Sequence, residues 1–154
     1  MYQNGQGVDV NYKKAFEWYE KAAKQGHADA QYNLGVMYDN GQGVDVNYKK
    51  SIEWYEKAAE QGYAGAQYNL GVMYEFGDGV DQNDSTAMRW YAKAAAQGHE
   101  KAQARIAAIL ARRRASAEAE ASSASVGGQE EADPKEGGHK EKKKKENRKS
   151  KKKR

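Results

Sequence analysis

The chain repeats itself every 36 residues, and any fold that ignores this period is excluded. Trp18, Trp54 and Trp90 stand 36 residues apart, as do Tyr19, Tyr55 and Tyr91, Ala22, Ala58 and Ala94, Gly26, Gly62 and Gly98, and Leu34, Leu70 and Ile106. Residues 5–40 and 41–76 differ at only seven positions. A period of this length marks an array. Each unit is one supersecondary element that cannot bury its apolar face alone, and its neighbours complete the core.

Within a unit the pattern predicts two helices. Over Asn47–Gln61, residues Tyr48, Ser51, Ile52, Tyr55 and Ala59 fall on one helical face. Asn11, Asn47 and Asn83 stand where an N-cap is needed, because an asparagine oxygen can accept an orphan backbone N–H. Gly62 suits a left-handed helix end. The next stretch, Ala64–Glu75, aligns Ala66, Leu70 and Tyr74 and ends in the glycine loop Phe76-Gly77-Asp78-Gly79-Val80. Gly35 and Gly71 fall in mid-helix, at a cost of about 1 kcal/mol each against alanine. Repetition of that cost predicts a helix crossing that admits no side chain. The three tryptophans and their neighbouring tyrosines are expected to fill the space between hairpins.

The set Ala66-Gln67, Leu70-Gly71, Tyr74, Gly77-x-Gly79-Val80, Asn83, Ala87, Trp90-Tyr91, Lys93-Ala94-Ala95 and Gly98 resembles the Sel-1-like repeat, a relative of the tetratricopeptide repeat. The resemblance covers about residues 1–112. It implies an all-α fold, a right-handed α-α superhelix of antiparallel helix pairs that serves as an adaptor for protein partners, without catalysis.

The ends depart from the pattern. Met1-Tyr2 align with Met37-Tyr38, so the array is expected to open at the end of a missing helix. Three explanations stand: a fragment, a misplaced start, or a partner covering that side of helix 11–25. Near the other end Ile106, Ala107 and Leu110 replace Leu-Gly and Tyr, and the glycine loop is absent. The helix at about 99–120 reads as a cap, with Arg105, Arg112, Arg113, Glu118 and Glu120 forming a polar outer face. The domain expectation is a repeat array over 1–120 (units 1–26 partial, 27–62, 63–98, capping helix 99–120) and a disordered linker and tail over 121–154.

Charge separates these parts. From Pro134 to Arg154 there are 12 basic and 3 acidic residues, a net of +9, which leaves the preceding residues at −5 within the chain total of +4. The basic pI therefore belongs to the tail and says nothing of nucleic acid binding by the array. Two clusters, Lys142, Lys143, Lys144, Lys145 and Lys151, Lys152, Lys153, Arg154, resemble a nuclear localisation signal. They equally suit an import receptor, an anionic polymer or membrane surface, or plain solvation. With no apolar run of membrane-spanning length, no basic-apolar leader at Met1–Gly7 and no cysteine, the expected location is cytoplasmic or nuclear.

No chemistry is expected, and no cofactor. Cysteine nucleophiles, thiolate metal sites and disulfides are excluded by composition. His27 and His99 are equivalent positions that take Tyr63 in the unit between, which suits helix-start packing rather than a ligand. The loop from Asp39 to Asn47 fails as a calcium loop, since Lys50 stands where a bidentate Glu belongs. The Gly-x-Gly pairs at 5 and 7, 41 and 43, and 77 and 79 lack the rest of a phosphate loop and fit chain reversal. Glu17, Glu20, Glu53 and Glu56 read as solvated carboxylates.

A partner is expected on the first helix of each pair. Beside the core stripe Ala30, Leu34 and Tyr38 lie Asp29, Tyr32, Asn33 and Val36. Their equivalents are Gly65, Tyr68, Asn69 and Val72, then Lys101, Ala104, Arg105 and Ala108. Tyr32 and Tyr68 suit either an interface or packing on the next hairpin, and Asn33 and Asn69 suit a peptide backbone.

Overall fold

The computed structural model describes residues 5–125, with side chains for 11–124. Among these the elements are α1 (Gly5–Lys24), α2 (Ala28–Asn40), α3 (Tyr48–Glu60), α4 (Ala64–Phe76), α5 (Asp84–Ala96) and α6 (Glu100–Ser125), and there is no strand. The chain divides into two compact units, Met1–Arg113 and Arg114–Arg154. The first is an all-α solenoid in which α1 packs on α2, α2 on α3, α3 on α4 and α4 on α5, while Ala87, Tyr91 and Ala94 of α5 cluster with Ala102 and Ile109 of α6. In the second, residues 114–124 are exposed helix. The helix continues to Ser125, past the expected end near 120 and into the serine stretch whose composition reads as linker. Ser122, Ser123 and Ala124 sit between residues that tolerate helix, and nothing in that stretch breaks it. The lysine clusters at 142–145 and 151–154 lie outside the described residues.

The turns work by backbone satisfaction. Gly41 and Gly77 adopt φ of 70° after α2 and α4, where a side chain would be strained, and their N–H groups bond the carbonyls of Met37 and Met73. Asn47 and Asn83 then cap α3 and α5, each side-chain oxygen accepting the backbone N–H of Lys50 or Thr86 at 3.1 and 3.0 Å. Their own N–H groups bond Tyr38 and Tyr74 carbonyls at 2.9 and 2.8 Å, which fastens the loop at both ends.

Asn11 is different. The octapeptide Gly5–Tyr12 is identical to Gly41–Tyr48, yet it lies within α1, so Asn11 is a helical residue and not a cap. The loop form of these residues depends on carbonyls offered by a preceding helix: Met37 receives Gln42 N–H and Tyr38 receives Asn47 N–H. No described residue stands in that place before Gly5. The glycines at 5 and 7 accordingly do not mark a reversal.

The tyrosines, rather than the tryptophans, form the centre of the core. Tyr55 and Tyr91 are fully buried, with Leu34, Leu70 and Ile109. The expected crossings at Gly35 and Gly71 are present. A Cβ on Gly35 would come far closer to the Tyr55 ring than van der Waals contact allows, and one on Gly71 equally close to the Tyr91 ring. At the first crossing the Ser51 hydroxyl also donates to the Gly35 carbonyl at 2.7 Å. Trp54 and Trp90 do pack between hairpins, Trp54 against Ala23, Ala30 and Leu34 and Trp90 against the Ile52–Tyr55–Leu70 cluster. Lys57 and Lys93 cover their outer faces at 4.5 and 4.7 Å. Trp18 is 76% exposed, because no described hairpin precedes α1 to receive it. Tyr74 is half-buried and Leu110 is 47% exposed, so both contribute less to the core than their register suggests.

Gly71→Ala sets about 1 kcal/mol of helix propensity against overpacking of a fully buried ring, which costs about 1–3 kcal/mol and occasionally more. The variant is expected to melt several degrees below the parent chain. An unchanged or higher melting temperature in calorimetry would show that the crossing is not tight.

Candidate interaction surface

The expected partner groove lies on α2, α4 and α6, and packing between hairpins takes up much of it. Tyr32 stacks on Tyr63 at 4.8 Å between ring centres and leans on Tyr55 at 5.9 Å. Tyr68 stacks on His99 at 4.7 Å and leans on Tyr91 at 5.7 Å. Both rings are part of the joint between hairpins and retain only partial exposure. The helix-start positions that take His or Tyr thus supply the stacking partner, and the His99 ring also accepts the Ala102 N–H. His27 is exposed. Val36 and Val72 pack against the second and third hydrophobic clusters of the array. Gly65 lies directly under the Tyr32 ring. Asp29 and Lys101 are exposed; Asn33 and Asn69 are partly so. Asn33 donates to the Asp29 carbonyl at 2.8 Å.

Arg105 faces inward, contrary to its expected place on a polar outer face. Its guanidinium grips the carboxylate of Glu75, which is fully buried, with Nε 3.0 Å from Oε2. Tyr91 donates its hydroxyl to the same oxygen at 2.7 Å. Arg112 stands 3.7 Å from Glu75 and 3.3 Å from Asp84, and Arg113 donates to the Ser85 hydroxyl at 3.3 Å. The hydrogen bond to Glu75, ahead of an opposing desolvation, raises the Arg105 pKa. Burial, then the bond to Glu75, raises that of Tyr91. The equivalent place one unit earlier holds Asp39, Tyr55 and Asn69. There the Tyr55 hydroxyl is buried beside Ser51 and Asn69 without reaching hydrogen-bond geometry, and burial raises its pKa.

A second polar device was not foreseen. Gln31 and Gln67 are buried on α2 and α4, and each donates to the end of the preceding helix, at the Ala23 and Ala59 carbonyls. Gln61 and Gln97, from the following helix ends, donate to Gln31 and Gln67 at 2.8 and 2.9 Å and to the Gly26 and Gly62 carbonyls at 2.9 Å each. This glutamine ladder runs from hairpin to hairpin. Its signal was the recurrence of Gln at 36-residue steps, which surface amides also produce.

Among the described residues no group of three His, Asp or Glu side chains is placed to hold a metal ion, and no helix is long and apolar enough to cross a membrane. The fold and its surface define an α-helical repeat array of the tetratricopeptide kind. The Sel1 repeat family profile matches residues 1–27, 28–63 and 64–99, and the chain belongs to that family. Three solved structures are similar. A Sel1 repeat protein from Oxalobacter formigenes is 42% identical with a TM-score of 0.59, over 61% of this chain and 38% of that one. The c5321 protective antigen of uropathogenic Escherichia coli, with an SLR fold, is 42% identical with a TM-score of 0.65, over 66% of this chain and 22% of the antigen. Helicobacter pylori cysteine-rich protein B is 28% identical with a TM-score of 0.55, over 58% and 67%. The chain thus spans well under half the length of the first two. No curated protein sequence matches it. Proteins of this family are typically protein-interaction scaffolds.

The paired tyrosines give opposite expectations. Tyr91→Phe removes a hydrogen bond to a buried carboxylate and should cost about 1.5–3 kcal/mol. Tyr55→Phe removes a buried hydroxyl that lacks a partner and should be neutral or stabilising. Equal losses in denaturant titrations would refute the distinction.

Alkali should unfold the array. The unfolded chain releases tyrosine protons near pH 10, while Tyr55 and Tyr91 keep theirs in the fold. The folded state then binds more protons, so stability is intact below about pH 10 and falls as pH rises past it. Absorbance at the tyrosinate band should show two late-titrating groups that ionise together with loss of helicity. Normal titration of all eleven tyrosines in a folded chain contradicts this.

Proposed function

We propose that the chain is a non-catalytic protein-interaction scaffold that takes a peptide segment along the first-helix face of α2, α4 and α6. One observation carries the reading. A half-exposed Tyr-Asn-x-x-Val strip recurs one repeat apart, as Tyr32, Asn33, Val36 and Tyr68, Asn69, Val72, with flat apolar area beside an amide. Packing has already fixed the rotamers of these tyrosines and valines, so a partner would lose little side-chain entropy on their account. Asp29, Lys101 and the outer part of Arg105 supply charge at the margins. The basic clusters at 142–145 and 151–154 favour a second role for the tail, in nuclear import or in holding an anionic polymer.

Affinity capture with three baits tests this: the whole chain, the chain lacking 134–154, and the variant Asp29→Ala, Asn33→Ala, Asn69→Ala, Lys101→Ala. These four side chains carry no hairpin-to-hairpin stacking, so the variant should keep its helicity. It is expected to lose at least about tenfold in affinity for a partner that the tailless chain retains. If retention instead follows the tail and vanishes with added salt, the tail is the binding element and the groove reading falls.

A further inference from the structure

The array changes sign at its last hairpin. Residues 1–84 include 7 basic and 13 acidic side chains, a net of −6, and residues 85–113 include 6 basic and 1 acidic, a net of +5. The change falls on the outer faces of α1, α3 and α5. Glu17 of α1 and Glu53 of α3 stand where α5 has Arg89, and Glu20 and Glu56 where it has Ala92. Glu60 of α3 gives way to Ala96, while Lys21, Lys57 and Lys93 stay the same. On α3 the carboxylates crowd one another: burial first, then Glu60 and Glu53, raise the pKa of Glu56. That face repels an anionic polymer. On α5 no acidic residue stands between Ser85 and Ala96.

The cations of this hairpin are arranged in a line. Ser85, Arg89 and Lys93 follow at intervals of four along α5 and all are exposed, so each step is about 6 Å. Arg113 of α6 adds a cation at the head of the line, its guanidinium donating to the Ser85 hydroxyl at 3.3 Å. Arg112 sits beside it, 3.3 Å from the Asp84 carboxylate, and offsets that charge. Arg89 has no carboxylate partner among the described residues. Lys93 lies over the Trp90 ring at 4.7 Å, which holds the ammonium in place without neutralising it.

Three cations at this interval can follow successive phosphates of an extended strand. Guanidinium forks bond phosphate oxygens in pairs, and their planes stack on bases. Trp90 adds half-exposed aromatic area within the same line. A second cationic stretch, residues 134–154 with a net of +9, follows in the same chain. A ligand that satisfies both stretches carries negative charge along its whole length, as a nucleic acid strand does. We propose that the α5–α6 hairpin is a contact site for single-stranded nucleic acid, with Arg89, Lys93 and Arg113 on its phosphates. The acidic faces of α1 and α3 confine the strand to this end of the array. The site uses none of the residues of the peptide groove and does not depend on it.

Anisotropy of a fluorescent oligothymidylate of about 20 nucleotides, titrated with the whole chain over a salt series, tests this. Each phosphate contact to a single strand contributes about 0.7 to the slope of log affinity against log salt. The variant Arg89→Ala, Lys93→Ala, Arg113→Ala should therefore lower that slope by about 2. The variant Lys13→Ala, Lys14→Ala, Lys49→Ala removes the same charge from exposed sites on α1 and α3 and should leave the slope within about 0.5 of the parent value. Arg89→Ala with Lys93→Ala spares the contact of Arg113 with Ser85. It should lower the slope by about 1.4, and it decides the matter if the triple variant loses helicity. An unchanged slope in the site variants would assign binding to the tail alone, and equal reductions in site and control variants would reduce it to net charge. Either result overturns the proposal, as does failure of the parent chain to bind. Tighter binding of polyglutamate of equal length, or of phosphatidylserine vesicles, at the same salt would overturn it too, by marking an acidic peptide or a lipid surface as the partner.

Discussion

The contact between a helix glycine and the ring of a buried tyrosine sets the spacing of the whole array. Gly35 with Tyr55 and Gly71 with Tyr91 bring successive helices so close that nothing larger than hydrogen fits. The remaining features follow from that approach. Alanines at 58, 59 and 94 are needed because the backbones are near, and Ser51 can reach the Gly35 carbonyl for the same reason. With helix centres fixed, loops must reverse within a few residues. Left-handed glycines at 41 and 77 and the asparagine caps at 47 and 83 do this.

Much of this was legible in the sequence, and the parts that were not share a cause. Caps at Asn47 and Asn83, the glycine crossings and the bounds of α3 and α4 depend on residues near in sequence or repeated at a fixed step. Asn11 and Trp18 have the same local signals as their equivalents and take different states, because their neighbours in space differ. A heptapeptide, Gly5–Asn11 against Gly41–Asn47, that is helix in one place and loop in the other shows how little its own propensity decides. The groove was visible as a strip of side chains, but its division between stacking and exposure came from rings one hairpin away. Glu75 was unreadable for another reason. A lone buried carboxylate is rare, and its partners sit 16 and 30 residues downstream on two further helices.

Polar groups in this array are placed at joints rather than in any one hairpin. The glutamine ladder links consecutive units through buried amides, each bonded on both sides. Such groups cost little while paired and much when stranded, so a hairpin that opens exposes its neighbour to the same loss. Stability in solenoids passes between nearest neighbours, and these amides are one physical means of passing it.

The charged joint at Glu75 has a consequence for how the chain finds its register. Units 5–40 and 41–76 are nearly the same sequence, so a helix docking onto one could dock onto the other with almost equal gain. Buried charge is rarely the best source of stability, but stranding one member of a buried pair is strongly destabilising. Arg105 set against α2 would meet the shorter carboxylate of Asp39, and Glu75 would be left inside the array without its guanidinium. One asymmetric charge pair thus marks the joint of α4 with α6 apart from its equivalent one unit earlier, in an otherwise repetitive chain.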